Sequence, residues 1–257
     1  MNQNIIVERE GAVLTLQLNR TNKKNALTRE MYSALAKALE QADADASVHA
    51  VLLTGSAECF TSGNDIGDFL QQPPVDMQSP VFCFMRSLLE CRKPVVAAVA
   101  GAAVGIGTTL LLHCDLVYVS ADARLRMPFV HLGLSPEFGS SVLLAQVVGP
   151  VRAAQLLLLG EGFSGGQAAE WGLANAALPT GNAAIEKARE AAHSLARLPA
   201  AAVQDSKRLM KAPVREQLRQ VIEDESWLFI RRLNSPEAVA ALSGFVNKQP
   251  SPGVRGG

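Results

Sequence analysis

Glu137 is the side chain whose setting in this sequence most invites proton chemistry. It stands in the stretch MPFVHLGLSPEFGSS, residues 127–141, where apolar and small neighbours surround one carboxylate behind a Ser-Pro step. A carboxylate in such surroundings can carry a proton. The same residues also read as an ordinary helix start, with Ser135 as N-cap, Pro136 at the first helical position and Glu137 near the positive helix end. What separates the two readings is a place to hold the negative charge that proton removal creates, and the sequence offers two. In CFTSGNDI, residues 59–66, Ser62-Gly63 are small enough for backbone N–H groups to face a cavity. As a bare pattern that stretch is equally a plain turn, with Asn64-Asp65 capping a short helix. In GAAVGIG, residues 101–107, a strand pattern leads into an apolar helix over 108–112, whose first N–H groups are free to meet an anion.

Other chemistries find less support. Leu110 stands where a dinucleotide fingerprint needs its third glycine, no GK[ST] phosphate loop occurs, and none of the serines lies in a GxSxG elbow. His113-Cys114-Asp115 sits at a helix–strand junction and reads as structural. Four cysteines form no CxxC pair and have no histidine at metal spacing, so no metal or redox cofactor is implied and a reduced, intracellular state is expected. With no secretory, transit or Ser-Lys-Leu signal, the expected location is the cytoplasm. A formal net charge of zero and only two Trp and two Tyr speak against a nucleic-acid groove and for a small-molecule partner. Residues 95–112 carry no charge and space Gly101 and Gly105 as GxxxG, yet the glycines and Thr108-Thr109 interrupt the run, which fits a buried α/β unit better than a membrane span.

The elements that must position these groups follow from periodicity. Residues 5–9 and 13–18 read as a hairpin across Glu10-Gly11, and 28–42 as an amphipathic helix with Thr28 as N-cap. Short apolar runs at 50–53, 95–99 and 116–119 read as buried strands, alternating with helix-like sequence as in stacked α/β units. Residues 77–90 read as an apolar helix whose Phe82, Met85 and Leu88 belong either to the core or to an acyl channel. Beyond Gly181 the pattern is helical over 182–197, 200–211, 214–232 and 235–246, with breaks at Pro199, Pro213 and Pro236. The third of these helices has an apolar surface broad enough to meet partner subunits. At 257 residues, 48% of them hydrophobic, the chain suffices for one large core with an appendage. Only the tail at 249–257 suggests disorder.

Taken together, the residues resemble the crotonase superfamily of enoyl-CoA hydratases and isomerases along nearly the whole chain. The motifs are Asn25-Ala26-Leu27, the 60–66 segment, Lys93-Pro94 with the following strand and the 101–107 loop, Cys114-Asp115, and Phe245-Val246-Asn247-Lys248. The resemblance implies an α/β fold, a ββα spiral with perpendicular sheets over 1–195, and a helical C-terminal trimerisation region over 196–257. It also implies a homotrimer or dimer of trimers, an acyl-CoA thioester ligand, and coenzyme A arriving as part of the substrate. By resemblance, the N–H groups of Ser62 and Ile106 form the oxyanion hole, Ala26, Asp65 and Ile66 hold the coenzyme through backbone atoms, and Lys248 meets its phosphates.

The hydratases of this family use two glutamates around one water; Thr109 and Phe129 stand at those positions. Instead, residues 128–137 resemble the Δ3,Δ2-enoyl-CoA isomerases of the peroxisomal type, in which the glutamate of the Ser-Pro-Glu step is the base. That resemblance implies that Glu137 takes the C2 proton of a 3-enoyl-CoA and returns it at C4, through an enolate held by backbone donors. One base is enough, because isomerisation moves a proton between two carbons whereas hydration must also activate water. Burial near Phe129 and Phe138 should raise the Glu137 pKa. The alternatives are a hydratase or other crotonase-type reaction, and a non-catalytic acyl-CoA-binding subunit.

Overall fold

The computed structural model describes the backbone of residues 3–248 and the side chains of residues 3–244. The chain opens with β1 (Ile5–Glu10) and β2 (Val13–Leu18), an antiparallel hairpin with Glu10 opposite Val13. Gly11 takes the positive φ, 57°, that so short a turn requires. In α1 (Arg29–Ala44) the face carrying Met31, Tyr32, Leu35 and Leu39 is buried, and Thr28 caps the helix by accepting the Met31 N–H.

Three turns of a spiral follow, each placing one strand in each of two sheets. The first turn is β3 (Ala50–Thr54) and β4 (Cys59–Thr61) with α2 (Ile66–Gln71) and α3 (Pro80–Glu90); the second is β5 (Val95–Val99) and β6 (Ala102–Val104) with α4 (Ile106–Thr109). The third is β7 (Leu116–Ser120) and β8 (Arg124–Arg126) with α5 (Ser140–Val148) and α6 (Pro150–Leu158). Next, β9 (Gly162–Ser164) adds to β8, and after α7 (Gly165–Glu170) the last strand, β10 (Ala176–Leu178), adds to β7. The larger sheet runs β1-β2-β3-β5-β7-β10 and the smaller β4-β6-β8-β9.

Strands β3 and β5 are buried along their whole length, and apolar but for Thr54 at the end of β3, because both faces of the larger sheet are covered there. Alternate residues of β5 divide accordingly: Val95, Ala97 and Val99 enter the main core, while Val96 and Ala98 pack beneath Ala188 and Ala192 of α8 (Gly181–Ala196). The chain continues through α9 (Ala200–Leu233) and α10 (Pro236–Lys248), which insert Leu218, Ile222, Phe229, Leu233, Ala238 and Leu242 into the main core.

Among the secondary-structure elements the structure departs from the sequence reading at Pro213 and at Ser135-Pro136. The expected break at Pro213 is absent, and α9 runs through it. Proline there forfeits one backbone hydrogen bond at a cost of about 3 kcal/mol, and the helix is pinned on both sides. Lys207 and Lys211 reach Asp115 at 2.7 and 3.0 Å, and Arg219 reaches Glu90 at 2.8 Å. The second departure is that Ser135 and Pro136 begin no helix: α5 starts at Ser140, after a turn in which Phe138 and Gly139 have φ of 57° and 71°. Residues 95–112 form β5, β6, α4 and a 3-10 turn, and among the described residues no helix is long and apolar enough to cross a membrane. The tail at 249–257 lies outside the described residues.

Candidate active site

Two backbone segments are brought together where the smaller sheet's β4 and β6 run side by side. A side chain at Gly63 would stand 2.8 Å from the Val104 carbonyl oxygen, and one at Gly107 would stand 2.5 Å from Thr61 Cγ2. Residues 61–64 and 104–107 therefore approach this closely only because both positions are glycine. At the second segment Ile106 opens α4 behind Gly105, and its N–H has no acceptor among the described residues, as a first-turn helical N–H is expected to have none.

At the first segment the expectation needs correcting. The Ser62 N–H donates to the Lys24 carbonyl at 2.9 Å, and the Gly63 N–H to the Thr61 hydroxyl at 3.1 Å, so neither is free for a ligand. The unengaged donor is Asn64. Its bridge to Leu27 uses the flanking groups, Leu27 N–H to Gly63 and Asp65 N–H to Leu27, and leaves the Asn64 N–H without an acceptor among the described residues. The Asn64 side chain is held by the hydroxyl of Tyr32, a residue with no exposed surface.

The carboxylate lies on the turn before α5. Glu137 is 2% exposed and its Oε1 has no hydrogen-bond partner among the described residues; the hydroxyl of Ser135, two residues earlier, is likewise buried and without a partner among them. Burial, reinforced by the charge of Glu225, pushes the Glu137 pKa from the usual 4.5 to about 8. The expected direction holds, and Glu225 is a cause the sequence did not reveal. Tyr32 lies within electrostatic reach of Glu137: burial first, and that charge second, hold its hydroxyl well above 10.

Several bonds fix the turn. Ser140 Oγ donates to the Glu137 carbonyl at 2.7 Å, and His113 Nε2 donates to the Phe138 carbonyl at 2.7 Å while its ring stacks on Phe138 at 3.7 Å. Burial drives the His113 pKa down to about 3, so the ring is neutral and carries its proton on Nε2. Cys114 stays a thiol, its pKa pushed up to about 12 by burial, and Asp115 is tied to two lysines. The 113–115 trio is structural, as expected. A left-handed non-glycine residue costs about 1–2 kcal/mol, and these bonds hold Phe138 there.

Thr109 and Phe129, which the resemblance set at the two hydratase positions, are buried and neutral. The Thr109 hydroxyl turns to the Ile106 carbonyl, and the Phe129 ring lies 3.8 Å from where a Gly105 side chain would begin. Ala26, Asp65 and Ile66 do come together. Arg20 binds the Ala26 carbonyl at 2.9 Å and the Asp65 carboxylate at 2.7 Å, and Asp65 caps α2, whose first residue is Ile66. Asn25, given no role from the sequence, is fully buried with φ 54° and donates to the Cys59 and Phe60 carbonyls, tying this face to β4. The side chain of Lys248 lies outside the described residues. Phe82, Met85 and Leu88 are each at most 3% exposed and belong to the core; the narrow cavity on that side is lined by Tyr32, Phe69, Pro74 and Val81.

The Enoyl-CoA hydratase/isomerase family profile matches residues 8–252, and the chain belongs to that family. It is 32% identical over 254 residues to human enoyl-CoA delta isomerase 2, covering 96% of this chain and 64% of that protein, so it spans just under two thirds of that relative's length. It is 29% identical to the Escherichia coli 2,3-dehydroadipyl-CoA hydratase, covering 95% of this chain and 96% of that one. The structure of Pseudomonas aeruginosa OdaA superposes with a TM-score of 0.94 at 60% identity, covering 96% of this chain and all of that one.

Proposed function

We propose that this protein isomerises 3-enoyl-CoA to 2-enoyl-CoA with Glu137 as its single base. The observation that carries the reading is a fully buried glutamate with a free oxygen and a high proton affinity, in a site whose hydratase positions hold Thr109 and Phe129. Once ionised, Glu137 takes the C2 proton; the electron pair moves toward the thioester oxygen, and the N–H groups of Asn64 and Ile106 stabilise the enolate. Each such donor is worth ~3 kcal/mol in a dry site. The protonated Glu137 then delivers the proton to C4, and the double bond moves into conjugation with the carbonyl. With Thr109 and Phe129 at the hydratase positions, and both Glu225 oxygens engaged by the Gly139 and Ser141 N–H groups, no described carboxylate is left to orient and activate water.

In this reading the substrate is an acyl-CoA thioester, with its coenzyme part lying along Ala26, Asp65 and Ile66 and its phosphates near Lys248. The assembly is a homotrimer or a dimer of trimers. Val147, Val151 and Leu158 on α5 and α6, up to 85% exposed, supply apolar surface for it, with α9 and α10 contributing further helical surface. The test of function is conversion of a medium-chain 3-enoyl-CoA to the conjugated product, followed by absorbance, with Glu137→Gln as control. Fast conversion lost in the variant is expected; no conversion by the wild type would overturn the reading and leave the family membership intact.

A further inference from the structure

We propose that Glu225 is a positioning residue for this reaction: from α9 it accepts the N–H groups of Gly139 and Ser141, fixes the turn that presents Glu137, and sets a negative charge behind that carboxyl. The inference rests on Glu137 being the base. Both Glu225 oxygens are engaged, one by Gly139 at 2.5 Å and the other by Ser141 at 3.0 Å. Gly139 sits so close to α9 that a side chain there would stand 2.5 Å from Leu218 Cδ1 and 3.4 Å from Ile222 Cγ1. The same helix is locked to the body of the protein ahead of Glu225 by the Lys207, Lys211 and Arg219 ion pairs, and beyond it by Arg232, which donates to the Gly133 carbonyl at 2.9 Å. This contact also explains why α5 starts at Ser140 and not at Ser135: its first N–H groups are satisfied by a carboxylate from another helix.

The two glutamates divide their labour by their surroundings. Burial raises Glu225 too, but the hydrogen bonds from Ser141 and Gly139 pull the other way, whereas Glu137 has no such bonds and reaches about 8. Glu225 therefore ionises first, and its charge then opposes ionisation of Glu137. The other titratable groups around the base are Tyr32 from α1 and His113 from the turn after α4, both uncharged at neutral pH. Lys207 and Lys211 act on His113 and Asp115.

The test is an infrared titration of the Glu137 carboxyl in the unliganded, full-length protein, taken as wild type minus Glu137→Gln and repeated in Glu225→Gln and Glu225→Asp backgrounds. Removing the charge in Glu225→Gln is expected to move the titration toward acid by about one pH unit or more. Glu225→Asp keeps the charge and withdraws the acceptor, so it is expected to leave the titration near the wild-type value while lowering kcat severalfold. An unchanged titration in Glu225→Gln, or an Asp variant that behaves like the Gln variant, would overturn the proposal. Because no substrate is present, a wild type that shows the shift yet turns over no 3-enoyl-CoA would count against the isomerase reading alone.

Discussion

The two halves of the site are built by different means. The donor half, residues 61–64 and 104–107, is backbone held by backbone: strand pairing sets it, and two glycines permit its close approach. The base half, residues 134–141, is a turn with a left-handed Phe138, held by His113 from one side and Glu225 from the other. A fixed dipole needs no tuning beyond its direction, so local sequence can specify it. A carboxyl must also have its proton affinity set, and that depends on burial and on a charge from a helix much later in the chain.

The contrast can be broken most severely at the base. Glu137→Gln should lower isomerisation by on the order of 10²–10⁴-fold with the fold intact by circular dichroism; activity within tenfold of wild type would remove Glu137 from the role. On the donor side, Gly63→Ala should cost on the order of 10²-fold in kcat with little change in KM, because Val104 O leaves no room for a methyl and the Asn64 N–H must shift. An unchanged kcat would show that the approach of these loops is not needed.

Two smaller effects sharpen the difference. The acid limb of kcat/KM should lie near pH 8, far above the free glutamate value of 4.5, with activity rising as pH rises through it; a limb near 4.5 would refute the raised proton affinity. The same shift acts on stability. A carboxyl with a raised folded pKa opposes folding increasingly from about pH 4.5 to about pH 8. Glu137→Gln should therefore match wild-type Tm near pH 4.5 and exceed it by roughly 10 °C above pH 8, corresponding to a few kcal/mol. Last, Tyr32→Phe frees the Asn64 side chain and should reduce kcat severalfold, near the ~1 kcal/mol of one hydrogen bond.

Much of this was legible in the sequence, for physical reasons that differ by element. The strand 95–99 announced itself because a doubly covered strand is apolar throughout, and α1 because its buried face repeats at helical spacing and Thr28 caps it. Glu137 stood out as a charge in apolar company. The helix start misread at Ser135 and the break misread at Pro213 share one cause: tertiary contacts from α9, the Glu225 carboxylate in one case and its ion pairs in the other, outweighed local signals. Ser62 was misassigned for a subtler reason. Which N–H in 61–65 stays free depends on the bridge to Leu27, and a two-residue difference in register is invisible in TSGND.

The most direct test of a single buried base is the fate of the proton it takes. Isomerisation of a 3-enoyl-CoA dideuterated at C2, run in ordinary water and read by mass spectrometry and deuterium NMR of the product, follows that proton. If Glu137, 2% exposed, carries it from C2 to C4, a substantial part of the deuterium must appear at C4. Complete loss of the label to water under single-turnover conditions would contradict the account.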